Sequence, residues 1–147
     1  MERLMSGGLN PHNAVIPDEQ HRQDFVEILE DFDQHCHESI LLTREGWQLG
    51  VLFRILNEQE QQEFARSRGA GDRFVSTKER RDLAGKYKGE WSVSAFSEVY
   101  FNAHHTAALV YKSEWCGNLC GEGSWVGLEL KAGQWKLLQW NSVLEES

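Results

Sequence analysis

The hydrophobic period changes once along this chain, near residue 90, and that change limits the fold more than any other feature. Upstream, Phe25, Ile28, Leu29 and Phe32 stand at i, i+3, i+4 and i+7, one stripe of an amphipathic helix. Downstream, "SAFSEVYF", "TAALVYKSEW", "SWVGLEL" and "QWKLLQWNSV" read as four strands. The first alternates Phe96, Glu98 and Tyr100 against Ser97, Val99 and Phe101. The connections "NAHH", "CGNLCGEG" and "KAG" are short and turn-like, so consecutive strands are expected to pair antiparallel. The expected fold is α+β: N-terminal helices packed on a C-terminal antiparallel β-meander of about four strands.

Within that frame, Pro17 followed by Asp18 and Glu19 suits a helix start and predicts a helix over 17–35, its acidic face opposite the stripe. Residues 1–16, polar and rich in Gly and Asn, read as a flexible arm, which leaves 17–147 as a single α+β domain. A chain of 147 residues can bury a core without a disulfide or metal to hold it. Ile40 to Leu42 suggests a short strand, and Val51 to Leu56 a strand or a buried helical turn. Asn57 looks like the N-cap of "EQEQQEFARSR", stopped by Gly69. Ser76 with Glu79 three residues on is a capping-box pattern that opens a helix over 77–87, with Leu83 and Tyr87 on one face. Gly127 inside the third strand indicates a bulge or a close backbone approach.

The net charge of −8 is unevenly placed. Residues 1–60 carry 12 Asp/Glu against 4 Lys/Arg, and residues 61–147 carry 11 of each. The excess, densest in "EILEDFD", argues against nucleic acid as a partner, because phosphate binding needs cations. No apolar run approaches the roughly 18 residues of a membrane span. The start "MERLMSGGLNPHNAV" has no apolar signal core, which favours the cytoplasm, with an exported protein as the alternative.

"SEVYFN" (97–102), "AALVY" (107–111), "CGNLCGEG" (116–123) and "GQWKLL" (133–138) follow one another with regular spacing. In this order they resemble a widespread, uncharacterised family of small bacterial proteins. Its pattern is a valine–aromatic–asparagine strand end, Ala-Leu-Val-Tyr, Cys-Gly-x-Leu-Cys-Gly-x-Gly, then Gly-x-Trp-Lys. The resemblance covers roughly residues 94–140 and departs at Glu98 and Tyr100, where relatives often carry a basic residue and a glycine. It implies no activity and no catalytic residue, and relatives are often exported.

Cys116 and Cys120 flank "GNL"; at a hairpin tip they would face each other near disulfide distance. A structural disulfide, reduced buried thiols, and metal or redox chemistry all stay open for this pair. Cys-x-x-x-Cys is not the spacing of a thioredoxin-like site. A zinc site would have to draw on "HCH" (35–37) or His104 and His105, without a supporting second motif. In "HCHES" the histidines suit a helix C-terminus better than a catalytic pair with Cys36. Glu98, Glu114, Glu122 and Glu129 fit a solvent-facing sheet surface, and Glu98 and Glu114 are placed to meet across the first hairpin. Five of six tryptophans fall at or after Trp91, and Trp115 and Trp125 bracket the cysteine loop, where they are expected to stack or to form an aromatic contact surface.

The leading reading is a non-catalytic protein-binding domain of immunity or inhibitor type, without cofactor or metal. Asp24, Glu27, Glu30 and Asp31 of the acidic helix, with Trp115 and Trp125, would meet a basic protein partner. One rival is a small-molecule-binding domain with a pocket between the helix and the sheet. The other is a thiol or metal-dependent enzyme using Cys36 or a bound ion.

Overall fold

The computed structural model describes residues 9–36, 54–69, 76–117 and 119–146. The strand expected at 40–42 and the start of the segment at 51–56 lie outside the described residues. The element order is α1 (Pro11–Ala14), β1 (Val15–Ile16), a 3-10 turn (Glu19–His21), α2 (Arg22–His35), α3 (Glu58–Ser67) and α4 (Thr77–Lys86). Then come β2 (Val93–Phe96), β3 (Tyr100–Phe101), β4 (Ala107–Gly117), β5 (Cys120–Lys131), β6 (Gln134–Leu137), β7 (Asn141–Ser142) and β8 (Glu145–Glu146). The fold is α+β, with helices on an antiparallel sheet in the order β2-β4-β5-β6. β3 extends the β2 edge along β4, and β8 pairs with β5.

The long β4–β5 hairpin is the spine. Its register runs from Ala107 opposite Glu129 to Gly117 opposite Cys120, with a shift between Trp115 and Gly117. Cys116 and Cys120 close its tip as a disulfide, their Cα atoms 5.3 Å apart. Replacing both cysteines with alanine is expected to cost about 2 kcal/mol, the chain-entropy value for so short a loop. The denaturant midpoint should fall while the slope stays unchanged. A loss above about 4 kcal/mol would mean that strand pairing itself depends on the bridge.

Four expectations from the sequence are corrected. "SAFSEVYF" is not one strand. Ser97 interrupts it: its N–H donates to the Tyr111 carbonyl at 2.9 Å, and its hydroxyl accepts from Tyr111 N–H at 2.8 Å. The side chain stands in for a ladder partner and Glu98 leaves the register. Glu114 therefore faces Ser94 and Glu122, not Glu98. The long helix does not start at Pro17: Asp18 caps a 3-10 turn through its bond from His21 N–H at 2.8 Å, and α-helical geometry begins at Arg22.

Nor is the N-terminal segment a free arm from Leu9 onward. Pro11, Ala14 and Val15 are buried, β1 pairs with β7, and Trp125 Nε1–H donates to the Leu9 carbonyl at 2.7 Å. Of the two readings of Gly127, the close approach to its backbone holds and the bulge does not. Gly127 pairs regularly with Leu109, and its lack of a side chain admits Trp140: a Cβ there would lie 2.7 Å from the Trp140 ring.

The α2 stripe meets the sheet as its spacing requires. Phe25, Ile28 and Phe32 are buried against Tyr100, Leu109, Tyr111 and Trp125, with Leu29 packed at the margin. Phe32 sits edge-on to Tyr100 at 5.1 Å and to Trp125 at 5.9 Å between ring centroids. These rings pack directly against one another between α2 and the sheet. A smaller cluster lies beside the hairpin tip. Asn57 and Glu60 form a complete capping box for α3, and Ser76 caps α4. The two helices bring Phe64 and Tyr87 together at 5.7 Å, and Phe64 meets Trp115 at 5.9 Å.

Candidate functional site

Three of the acidic residues of α2 are tied to the sheet edge, while Glu30 and Asp33 are exposed. Asp24 Oδ1 accepts from Asn102 Nδ2 at 2.9 Å, Glu27 Oε2 from Ala103 N–H at 2.8 Å, and Asp31 Oδ2 from Phe101 N–H at 2.8 Å. Asp31 Oδ1 also lies 2.7 Å from His35 Nδ1. The spacing 24, 27, 31 puts three carboxylates on one flank of the helix. That flank runs along β3 and the turn after it. Edge backbone N–H groups need acceptors, and these side chains supply them. Of the four acidic residues expected to meet a partner, only Glu30 is classed as exposed.

Asn102 organises the other side of this contact. It is 2% exposed. Its Nδ2 donates to Asp24 and to Thr106 Oγ1, and its Oδ1 accepts from the N–H groups of Thr106 and Ala107 at 2.8 and 2.9 Å. The turn 102–106 is thereby fixed, with His105 at a positive φ of 54°. Its ring is stacked on Phe101, centroids 4.7 Å apart and planes 7° from parallel. Trp135 of β6, 43% exposed, lies 6.0 Å from Phe101 and extends the aromatic shelf.

Between α2 and this turn runs an open groove of about 540 Å³. Glu27, Glu30, Asp31 and Glu98 line it together with His35 and His105, and among the described lining residues there is no lysine or arginine. Glu98 Oε2 is buried in the wall without a hydrogen-bond partner among the described residues. Behind it the Tyr100 hydroxyl, 1% exposed, also lacks one. Burial pushes that hydroxyl up to about 12, and the charges of Glu98, Cys36 and Asp31 add to the effect. A groove of this make-up favours a cation: carboxylates attract it, and an aromatic shelf can hold its apolar stem or face.

The remaining sequence-predicted residues are dispersed. Trp125 is 4% exposed and belongs to the core, so it cannot present a contact surface. Trp115 turns toward Phe64, away from Trp125, so the two do not stack across the hairpin. The exposed apolar groups near the tip are instead Trp91 at 85% and Leu119 at 95%. Cys36 is half-buried against the main core, far in sequence and in fold from the disulfide. Among the described residues no three His, Cys, Asp or Glu side chains gather as a metal set.

Sequence reading missed Phe101, His105 and Trp135 as one aromatic shelf, and Glu98 as part of the groove wall. The available signal was Asn102, a strand-end amide beside "HH" and opposite an acidic helix. No helix among the described residues is long and apolar enough to cross a membrane. Comparison of the chain with protein-family profiles, with characterised proteins and with solved structures gives no match.

Proposed function

We propose that this chain is a non-catalytic protein-binding domain of immunity or inhibitor type, and that the groove beside α2 receives a lysine or arginine side chain of a basic partner. The observation that carries this reading is the groove's composition: four carboxylates and, among the described lining residues, no lysine or arginine opposing them. Carboxylates gathered along an open groove repel one another, and an ammonium or guanidinium from outside would relieve that repulsion. The Phe101–His105 stack offers a surface for the same group, since arginine packs well over aromatic faces.

The acidic residues divide by role on this reading. Asp24, Glu27 and Asp31 hold the groove in shape, while Glu30 and Glu98 remain for the partner. The Cys116–Cys120 bridge supports an exported protein over a cytoplasmic one, because such bridges persist in oxidising compartments. The residues that carry the family resemblance serve as scaffold on the same reading.

Glu30 gives the cleanest test because it is exposed and makes no backbone contact that the fold needs. Glu30→Lys is expected to weaken binding of a labelled hexa-arginine peptide about tenfold at low salt, leaving the thermal midpoint unchanged. Wild-type affinity should itself fall steeply as salt rises. Equal affinity of the two proteins would contradict the proposal.

A further inference from the structure

His21 is a histidine with no free nitrogen. Its side chain is 8% exposed, at the junction of the 3-10 turn, β5 and the segment after β6. Nδ1 lies 2.7 and 2.9 Å from the two carboxylate oxygens of Asp18. Nε2 lies 3.3 Å from Glu129 Oε1 on β5. Trp140 completes the cluster: its Nε1–H donates to Asp18 Oδ2 at 3.2 Å and its ring stands edge-on to His21 at 6.1 Å. Lys131 Nζ approaches the other oxygen of Glu129 at 3.3 Å. Those are the charged groups that face the imidazole: Asp18 from its own turn and Glu129, backed by Lys131, from β5.

Imidazole chemistry makes this arrangement selective for one protonation state. A neutral ring donates from one nitrogen and accepts at the other. Here both nitrogens face carboxylate oxygens, which only accept when ionised. The imidazolium alone can donate on both sides. A neutral ring keeps one bond and sets a lone pair against the other carboxylate.

We propose that His21 is a proton-operated clasp: protonated, it ties the turn ahead of α2 to Glu129 of the central hairpin; neutral, it releases that end of α2. The released end carries Phe25, which packs edge-on to Trp140 at 5.5 Å, so the N-terminal turn of α2 would loosen while the β4–β5 spine stays intact. This device is independent of what the groove binds.

The direction of the pH dependence follows from the cluster. Burial alone would lower His21, but the bonds and charges of Asp18 and Glu129 outweigh it and raise the group above its usual 6.5. Burial works against Asp18 and Glu129 as well, yet their bonds to His21 and neighbours carry both below their ordinary 3.8 and 4.5. The histidine's contribution is therefore complete below 6.5 and is lost as pH rises through its raised folded value. The carboxylates' contribution is present above their ordinary values and is lost as pH falls through their lowered ones.

The test uses the full chain between pH 5.5 and 9. Nuclear magnetic resonance should show the His21 ring titrating above 6.5, with the amides of residues 18–24 losing exchange protection as it does so. The thermal midpoint of the wild type should fall by about 3 °C or more over that range, and that of His21→Gln should not follow it. A His21 ring that titrates at or below 6.5 would overturn the proposal without any variant. So would a His21→Gln or Glu129→Gln protein with an unchanged pH profile.

Discussion

Asn102→Ala is expected to destabilise the protein by about 3–4 kcal/mol, the largest loss from any single polar side chain in the sheet. The deletion removes two donors and two acceptor contacts at a site 2% exposed to solvent. It also strands the groups left behind. The buried Ala107 N–H loses its acceptor, and Asp24 loses its bond across to the turn. An orphaned buried donor costs about 1–3 kcal/mol by itself. For a chain of this length the thermal midpoint should drop by roughly 10 °C. Asn102→Asp should not rescue it, because a carboxylate would face Asp24 where an amide now donates. A loss below about 1 kcal/mol would show that the turn holds without the asparagine.

Gly123→Ala is expected to cost about 2–4 kcal/mol for the opposite reason, too much matter. Gly123 and Tyr111 lie diagonally across the β4–β5 hairpin, Tyr111 being opposite Trp125 and Gly123 opposite Ser113. The tyrosine ring lies over the glycine. A Cβ there would come within 2.1 Å of the Tyr111 hydroxyl oxygen and 2.8 Å of the ring carbon bearing it. Tyr111 is 4% exposed and wedged edge-on to Trp125 at 5.3 Å, so it has no route of retreat. The effects should be non-additive: in a Tyr111→Leu background the same alanine should cost markedly less. Equal costs in both backgrounds would place the strain elsewhere.

These two sites also show why part of this structure was legible in the sequence. The stripe of Phe25, Ile28, Leu29 and Phe32 and the period-two segments after residue 90 are local patterns with one sensible burial each. Asn57 and Ser76 cap their helices as their spacing implies, and the Cys116–Cys120 separation suits a hairpin tip. The errors arose where a long-range partner decides a residue's fate. Nothing local tells Glu27 and Asp31 to accept from backbone N–H groups, and Asp24 from the Asn102 amide, about 70 residues or more away. Ser97 reads as one more strand residue until its hydroxyl takes over a ladder position opposite Tyr111. His21 reads as a first-turn residue until Glu129 arrives from β5.

The motif residues tell the same story. Asn102 fixes a turn, Tyr111 and Gly123 interlock, Cys116 and Cys120 close the tip, and Gly133 turns at a positive φ of 74°. Each has a structural task that accounts for it. The groove, by contrast, sets one motif stretch, Glu98 to Asn102, against residues outside the motifs: Glu27, Glu30, Asp31, His35 and His105. A pattern search would therefore find one wall of the site and miss the helix that faces it.

The most direct measurement of the central claim is a ¹H–¹⁵N correlation map recorded as the hexa-arginine peptide is added. The expected result is a set of saturable, salt-sensitive shifts at the amides of Glu30, Asp31, His35 and Phe101 to Ala103, needing about tenfold more peptide for saturation in Glu30→Lys. Shifts gathered instead at Trp91 and Leu119 beside the hairpin tip, or none at all at the groove, would contradict it.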